Sequence, residues 1–417
     1  MVEWYRIARN LCKSACTKSQ RLPIGMDFFN NEYYITRHLM ESIGLWPYQK
    51  PERRMVRVLC VSFILIQTIL LQLATFITHE YSTSLFIEVF SFSILFMVCL
   101  LKYNTVYFNS NHVKNLFDQI HCDWKLIRNM DELKIIKKYA YKTRFYAILS
   151  GSIVYPGTFI FLLIIFVPDF LDLIMPLDEP RQRQLPVQIE CFLDQDRYFY
   201  LISLIIIIAA FVGMTVIMAT ENMYMIFVQH SCALFELISY RLTCAFDTCS
   251  SKTTPSKTKC RLCTKLLSAF STHQHCLEFV ENMQHKFSTS YFVLFVFGVG
   301  SASVNMFRLF EAVTMLNIFE AIATGLFVYS HVAYGFFMNY FGQDIIDHSE
   351  YFFQQIYSTQ WYRAPLYAQK LLLMTLRQST KNSKIIVGGL FVMSLEGLAT
   401  LVSMSLSYCM VMYSVRK

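Results

Sequence analysis

The stretch that decides the fold is residues 384–415, which read KIIVGGLFVMSLEGLATLVSMSLSYCMVMYSV. A helix of about 20 apolar residues, rising about 1.5 Å per residue, is long enough to cross the hydrocarbon core of a bilayer. Hydroxyl groups and Glu396 interrupt this run, and each unsatisfied polar atom costs energy where only lipid surrounds it. The stretch therefore predicts a membrane helix, several copies of which surround a narrow pore.

The composition of the whole chain is typical of a membrane protein. Of its 417 residues, 55% are hydrophobic and only 16% are charged, and the mean hydropathy is +0.38. Soluble domains usually carry about 25% charged residues. The 13 cysteines are scattered, many of them in apolar segments, which does not fit the disulfide framework of a small secreted domain. We expect an all-α membrane protein.

Six further apolar runs precede the last one, and together they predict seven transmembrane helices. The predicted spans are residues 55–77, 84–103, 144–167, 198–220, 287–310, 318–340 and 384–415. Pro168 is expected to end the third span. Amphipathic helices at 109–142, 262–286 and 343–381, and a continuation of the fourth span to about residue 241, are expected to stay outside the hydrocarbon. A linker rich in Ser, Thr and Lys covers residues 248–259.

The placement of charge predicts the orientation. Lys and Arg are concentrated before the first span and in the second, fourth and sixth loops, whereas the first and fifth loops have essentially none and the third is acidic. The positive-inside rule therefore places the N-terminus in the cytoplasm and the C-terminus outside the cell. Because the basic residues of this +8 chain lie at membrane borders, nucleic acid is not an expected partner.

Four parts follow from this topology. Residues 1–54 form a cytoplasmic N-terminal helical region, and residues 55–340 hold the first six spans, with a ligand pocket in their outer half. Residues 341–383 form a cytoplasmic anchor helix. Residues 384–417 hold the seventh helix, which lines the pore.

The short outer loops offer no domain that could capture a ligand, so a ligand must bind between helices. An aromatic cavity with few polar groups suits a small, volatile, weakly polar molecule. The alternative is ordinary helix packing. The candidate ligand-binding residues, taken from the outer halves of spans two, three, four and six, are Phe86, Val89, Phe90, Ser93, Gly151, Tyr155, Phe159, Ser203, Ile207, Phe319 and Ala323.

The pore hypothesis rests on one stripe of the last helix. Hydrophobic side chains at a constriction can gate by dewetting, and nearby hydroxyls can replace part of the hydration shell of an ion. The alternative is that the serines bond to the preceding helical turn or pack between helices. The candidate pore and gate residues are Ser407, Tyr408, Val411, Ser414 and Val415.

Other charged and metal-binding patterns are weaker. Arg308 and Glu311 are three residues apart and are expected to form a structural ion pair. Residues 260–263 read Cys-x-x-Cys, and His273, His275 and Cys276 follow, but the second half lacks the spacing of a zinc site. No P-loop, nucleophile elbow or metalloprotease motif occurs. We therefore predict no metal, no cofactor and no enzymatic activity.

Two short motifs carry a resemblance that extends over the whole chain. Residues 44–47, Gly-Leu-Trp-Pro, resemble the N-terminal signature of insect odorant receptors, and the inverted seven-span topology is similar. Residues 407–415, SYCMVMYSV, resemble the Thr-Tyr, five apolar, Gln-Phe signature of the related gustatory receptors. Ser replaces Thr, and Ser414 and Val415 replace Gln and Phe, which favours the odorant branch.

The resemblance implies a specific function. Members of the family are ligand-gated, poorly selective channels for monovalent and divalent cations, built as tetramers in the plasma membrane of olfactory sensory neurons. A tuning subunit assembles with a shared co-receptor, cytoplasmic helices after spans four and six anchor the subunits, and the last helix lines the pore. The family template places Tyr408, Val411, Ser414 and Val415 at the outer constriction. The short 248–259 linker is typical of a tuning subunit, because the co-receptor carries a longer insertion there.

Three alternatives differ in testable features. A gustatory-type ligand-gated channel is the closest, and the altered C-terminal signature separates it. A G-protein-coupled receptor would place the C-terminus inside and would carry Asp-Arg-Tyr and Asn-Pro-x-x-Tyr motifs, which this sequence lacks. A secondary transporter would show an internal repeat and paired broken helices, and neither occurs in the sequence.

Overall fold

A computed structural model of the chain describes residues 32–80, 82–127, 129–175, 181, 183, 185, 187–195, 197–250, 255–359 and 361–416. These residues form helices and one small hairpin. The elements are α1 (Tyr34–Ser42), α2 (Pro51–Thr78), α3 (Thr83–Phe108), α4 (Ser110–Leu126), α5 (Met130–Leu163), α6 (Val167–Ile174), α7 (Phe199–Ser250), α8 (Pro255–Thr314), α9 (Ile318–Ser358), α10 (Leu366–Ser379), β1 (Ile386–Val387), β2 (Phe391–Val392) and α11 (Leu395–Arg416). Most of the predicted N-terminal region, residues 1–31, lies outside the described part of the chain.

Within the described ranges, seven helical stretches are long and apolar enough to cross a membrane, as the hydropathy pattern predicts. They correspond to α2, α3, α5 with α6, α7, α8, α9 and α11. Four of them far exceed the thickness of a bilayer. The 52 residues of α7 rise about 78 Å, whereas the hydrocarbon core is about 30 Å thick. The spans therefore continue as long extensions beyond the membrane.

The central element is α7, which packs against α1, α2, α3, α5, α8 and α9. Its C-terminal half is buried on nearly all sides, and aromatic rings from three helices meet there. The Phe227 ring lies 6.3 Å from the Phe279 ring of α8, and the Phe235 ring lies 6.4 Å from the Phe352 ring of α9. We call this end, built from α4, α10 and the extensions of α5, α7, α8 and α9, the base.

A tight turn ends α1 and leads into α2. Gly44 has a φ of +78°, and a Cβ there would lie 3.0 Å from Cβ of Arg57, so only glycine fits without strain. Trp46 is buried and its ring lies 5.2 Å from the ring of Phe117. The Tyr103 hydroxyl donates a hydrogen bond of 2.8 Å to the carbonyl of Ile43. The Gly-Leu-Trp-Pro motif thus closes the base around α3 and α4.

Three predicted boundaries are wrong, each for a local reason. The segment 109–142 is not one helix, because the Asn129 side chain accepts a hydrogen bond from the Asp131 amide and caps a new helix, α5. Pro168 does not end the third span. A 3-10 turn at Ile164–Phe166 leads into α6, where Pro168 occupies the first turn and needs no amide hydrogen. The segment 341–383 divides between α9 and α10, with Pro365 before α10.

The last helix also begins later than predicted. Residues 386–392 form an antiparallel hairpin, and its turn contains Gly388 and Gly389, both with positive φ. A Cβ on Gly388 would lie 2.5 Å from the ring of Phe292. The hydroxyl of Ser394 then accepts a hydrogen bond from the Gly397 amide and caps α11. The 22 residues of α11 are still sufficient to cross a bilayer.

The linker predicted at 248–259 is only partly described. Helix α7 continues beyond residue 241 to Ser250, and α8 begins at Pro255. Residues 251–254 lie outside the described ranges, as do the side chains of 247–264.

Candidate functional site

One end of the bundle is covered by the loop 187–195, and we call it the loop end. The Glu190 amide donates to the carbonyl of Leu71, at 3.0 Å, near the C-terminus of α2. The Thr78 hydroxyl donates to the Glu190 carboxylate at 2.9 Å, and that carboxylate also accepts from the Phe192 amide at 2.7 Å. One acidic residue thus fastens the loop onto the bundle.

Under this loop lies an apolar core that is separate from the core of the base. We call it the loop-end cluster; its buried members are Phe92, Leu162, Ile165, Val187, Ile189, Phe199, Ile202 and Ile206. Three aromatic rings from three helices organise it. The Phe327 ring of α9 stands edge-on to Phe92 of α3 at 5.0 Å and to Phe161 of α5 at 5.5 Å. Such edge-to-face pairs are the preferred aromatic geometry.

The structure brings some of the predicted ligand residues to this region. Val89, Ser93 and Ser203 are buried, and Ile207 is half-buried against the loop-end cluster. Ala323 is half-buried on α9.

Other predicted ligand residues lie elsewhere. Phe86 and Phe90 stack on each other at 5.3 Å and are partly exposed on α3. Phe159 is 54% exposed, so it points away from the bundle. Tyr155 approaches Thr215 of α7 with its hydroxyl 3.3 Å from the Thr215 hydroxyl.

Gly151 and Phe319 complete the set of predicted ligand residues. A Cβ on Gly151 would lie 4.0 Å from the methyl group of Met218, so this glycine faces α7. The side chain of Phe319 lies outside the described part of the structure.

The three rings at the centre of the cluster, Phe92, Phe161 and Phe327, are not among the residues that the sequence pattern indicates. Phe92 and Phe161 lie two positions from the predicted Phe90 and Phe159, on another face of the same helices. Both helices are apolar on every side at this height, so hydropathy gives no indication of which face is inside. Only the neighbouring helices decide this.

The ion pair beside the cluster has a different acidic partner from the predicted one. Arg308 pairs with Glu320 of α9 at 3.5 Å, rather than with Glu311 of its own helix. The Arg308 guanidinium also lies 5.9 Å above the ring of Phe92. The pair therefore links α8 to α9 at the edge of the cluster.

The predicted pore residues lie on the uncovered side of α11. Tyr408, Val411 and Val415 are 54%, 57% and 83% exposed, and Ser407 and Ser414 are exposed as well. All five residues therefore fall on the side that the protomer leaves free.

The opposite side of α11 packs against α8 and α9. Ser405 is fully buried there, and the Tyr413 ring stands edge-on to Phe310 of α8 at 5.0 Å. The hydroxyls of Ser405 and Ser407 donate to carbonyls one turn earlier, at 2.9 Å, as the alternative to a pore role predicts for these two serines.

The base is held together by charged contacts between helices. Asp344 of α9 accepts from Lys142 of α5 and from Gln229 of α7, both at 2.8 Å. Cys232 and His348 lie near this carboxylate, and the three ligand atoms fall within 4.8 Å of one another. Because Lys142 already neutralises Asp344, the arrangement is that of a structural ion pair.

A second buried carboxylate joins three helices of the base. Asp123 of α4 accepts from His230 of α7 at 2.9 Å and from His275 of α8 at 3.0 Å, both through Oδ2. Burial alone would raise the pKa of Asp123, but the two imidazoles outweigh it and lower the pKa to about 2. Asp123 is therefore a charged cross-link between α4, α7 and α8.

The weak zinc pattern is not assembled by the described residues. His275 is bound to Asp123, and the Cys276 thiol donates to the carbonyl of Ser231 at 3.6 Å. His273 is buried with its ring 4.8 Å from that of Phe352. The side chains of Cys260 and Cys263 lie outside the described ranges.

Seven membrane-length helices, an apolar cluster under one loop and an uncovered last helix define a multi-pass helical membrane protein. A family model described as the 7tm odorant receptor matches residues 82–406. The chain belongs to that family, which is a family of receptors and not of enzymes. No curated protein matches the chain by sequence.

The fold is similar to solved structures of an insect olfactory receptor, OR5 from Machilis hrabei. The complex of that receptor with eugenol has a TM-score of 0.72 and 16% identity, and the alignment covers 94% of this chain and 98% of that one. A second OR5 structure has a TM-score of 0.69 and 15% identity, with coverage of 93% and 100%. At this identity the likeness concerns the fold.

Proposed function

We propose that the chain is a subunit of an odorant-gated, non-selective cation channel in the plasma membrane of olfactory sensory neurons. A small volatile ligand binds in the outer half of the bundle and opens a hydrophobic gate in the last helix. Monovalent and divalent cations then permeate. The observation that carries the proposal is the exposure of α11, of which only 6% is buried within the protomer, against 39% for α2.

The exposed side of α11 suits a pore better than lipid. Ser403, Ser407 and Ser414 would all face hydrocarbon if the helix stood alone in a bilayer, where polar groups have no water. Copies of α11 around a common axis place these hydroxyls beside a water-filled path. Val411 and Val415, one turn apart, then form apolar rings that close by dewetting.

The loop-end cluster supplies a route from ligand to gate. The Phe327 ring packs against Phe92 and Phe161 in the cluster, and Phe327 lies on α9, which also packs against α11. A ligand that displaces the Phe327 ring therefore acts on a helix that holds the pore helix in place. A ligand shifts the equilibrium only if it binds the open state more tightly than the closed state. A ratio of about 10⁴ between the two affinities is needed to move the channel from almost always closed to almost always open.

Assembly and orientation complete the proposal. The chain is a tuning subunit that forms a heterotetramer with a co-receptor, and the base is the cytoplasmic anchor that joins subunits. The basic N-terminal side and even-numbered loops support a cytoplasmic N-terminus and an extracellular C-terminus. The OR5 receptor of similar fold was solved with eugenol, which supports a small organic ligand here.

Current recording tests the proposal directly. Cells that express this chain with a co-receptor should show cation currents evoked by members of a panel of volatiles, and these currents should persist when G-protein signalling is blocked. Cells with the co-receptor alone provide the control. Surface-expressed receptor that gives no current with any volatile, or a current abolished by G-protein block, would contradict the channel function.

A further inference from the structure

The loop end contains a glutamine that its surroundings do not satisfy. Gln72 of α2 is fully buried, and neither its amide nitrogen nor its amide oxygen has a hydrogen-bond partner among the described residues. Burying an unpaired amide costs roughly 1–3 kcal/mol, so native proteins retain such groups where a water or a ligand completes them.

Three hydroxyls share this property. They are the only buried Ser or Thr hydroxyls in the described part of the chain that lack a partner, and they belong to Thr75, Ser93 and Ser203. By contrast, the hydroxyl of Thr68, on the same face of α2, donates to the carbonyl of Ile64 at 2.7 Å. Thr68 thus makes the usual bond to the preceding turn, whereas Thr75, Ser93 and Ser203 do not.

The register of the helices places these groups at similar heights. The Cys99 thiol contacts the carbonyl of Gly213 at 3.6 Å, which aligns α3 with α7 and sets Ser203 about level with Val89. Because a short turn joins α2 to α3, Thr75 is about level with Phe86, and Gln72, one turn deeper, is about level with Val89 and therefore with Ser203. Helix α2 packs against both α3 and α7.

The apolar neighbours of these groups belong to the loop-end cluster. Ile202 and Ile206 of α7, on either side of Ser203, are buried members of the cluster, and Leu71, next to Gln72, packs against it. The unpaired polar groups of α2 and α7 therefore adjoin the apolar side chains of the loop-end cluster. This is the arrangement of a site for a molecule with one polar group on a hydrocarbon body.

We propose that Gln72, with the hydroxyls of Thr75 and Ser203, forms a subsite for the oxygen atom of an alcohol, ketone or ester ligand. The Gln72 amide donates to a carbonyl oxygen and accepts from a hydroxyl, so one side chain serves all three classes. The hydrocarbon body lies against the loop-end cluster. This subsite rests on the proposed function and names its ligand class. A hydrocarbon of equal length leaves the amide unpaired and binds more weakly.

Binding to the purified full-length chain tests the subsite without requiring channel opening. The probes are octanol, octanone and hexyl acetate, each compared with octane, and the readout is the ligand-induced shift in the thermal unfolding midpoint. We expect the wild type to prefer the oxygenated probes by about tenfold or more in half-saturating concentration. Gln72→Leu should abolish this preference while retaining octane binding, and Thr75→Val and Ser203→Ala should reduce it.

The matched control is Thr68→Val, which removes a satisfied hydroxyl from the same face of α2 and should leave the preference unchanged. Without ligand, Gln72→Leu should be at least as stable as the wild type, because it removes a buried unpaired amide. Equal binding of octanol and octane by the wild type, or no binding of any oxygenated probe, would mean that the groups hold only water and would overturn the subsite. A preference in binding without any evoked current would leave the subsite standing and would refute the channel.

Discussion

At the scale of single residues, Lys102 of α3 is a deeply buried charge, only 3% exposed. Its ammonium pairs with Glu221 of α7, and the same carboxylate oxygen accepts from the Tyr334 hydroxyl of α9 at 2.8 Å. The rings of Tyr291 and Tyr334 lie 5.2 and 5.4 Å from the ammonium. Four helices are thus joined at one buried ion pair.

Replacing this lysine should strongly destabilise the fold. Lys102→Met leaves the Glu221 carboxylate buried and uncompensated, which typically costs about 3–5 kcal/mol. Adding Glu221→Gln should recover much of the loss, since no unpaired charge remains. Thermal unfolding in detergent measures both. The control is Lys134→Met, whose exposed ion pair with Asp131 is worth at most about 1 kcal/mol. Equal effects of the two lysine variants would refute the role of burial.

Asp123 should make the base sensitive to acid. Its pKa is lowered from 3.8 to about 2 by the two histidines, so its contribution to stability, about 2 kcal/mol, is complete above pH 4. The contribution is lost as the pH falls from about 4 towards about 2, because the unfolded chain takes up the proton first. The stability difference between the wild type and Asp123→Asn should therefore shrink over that range. Asp131→Asn, at an exposed position, is the control. A difference that stays constant with pH would contradict this.

At the scale of elements, the two sides of α11 have different surroundings. One side packs against α8 and α9, and the other is open in the protomer. In a background with Cys409→Ser, Val411→Cys should make the odorant-evoked current sensitive to a charged thiol reagent applied from outside. Ser405→Cys, on the buried side of the same helix, should remain insensitive. The experiment compares the current before and after the reagent. Insensitivity at every position from 404 to 415 would remove α11 from the pore.

The attachment of α11 to the base depends on a close contact between α9 and Met393, the residue that follows the hairpin. A Cβ on Gly342 would lie 2.2 Å from the carbonyl oxygen of Met393, a distance that no backbone tolerates. Gly342→Ala must therefore displace the start of α11, and we expect a loss of several kcal/mol or a failure to assemble at the surface. Gly300→Ala, in α8 with nothing within 4 Å of the new methyl group, should be neutral or slightly stabilising. Thermal unfolding and surface labelling of both variants decide the matter.

At the scale of the whole molecule, the sequence predicts what hydropathy alone determines. Seven apolar helices of membrane-spanning length are found in the described ranges, as predicted, because a run of about 20 apolar residues is visible in one dimension. The inward faces are not visible there, so the pattern indicates Phe90 and Phe159, whereas Phe92 and Phe161 are the residues that pack inside. The hairpin at 386–392 was missed because its residues are as apolar as the helix that follows. The partner of Arg308 was missed because Glu320 lies on another helix.

The orientation of the whole molecule is the property that separates an odorant-gated channel from a G-protein-coupled receptor. By the positive-inside rule, the basic residues before α2 and in the loops of the base predict that this side is cytoplasmic and that the end of α11 is outside. An epitope tag at the C-terminus should therefore bind antibody on intact cells, and a tag at the N-terminus should bind only after permeabilisation. A chain tagged in the loop 187–195, which the same topology places outside, is the positive control for surface access. The reverse pattern at the two termini would mean that the bundle has the opposite orientation. The loop-end cluster would then lie on the cytoplasmic side, which would contradict a ligand that arrives from outside.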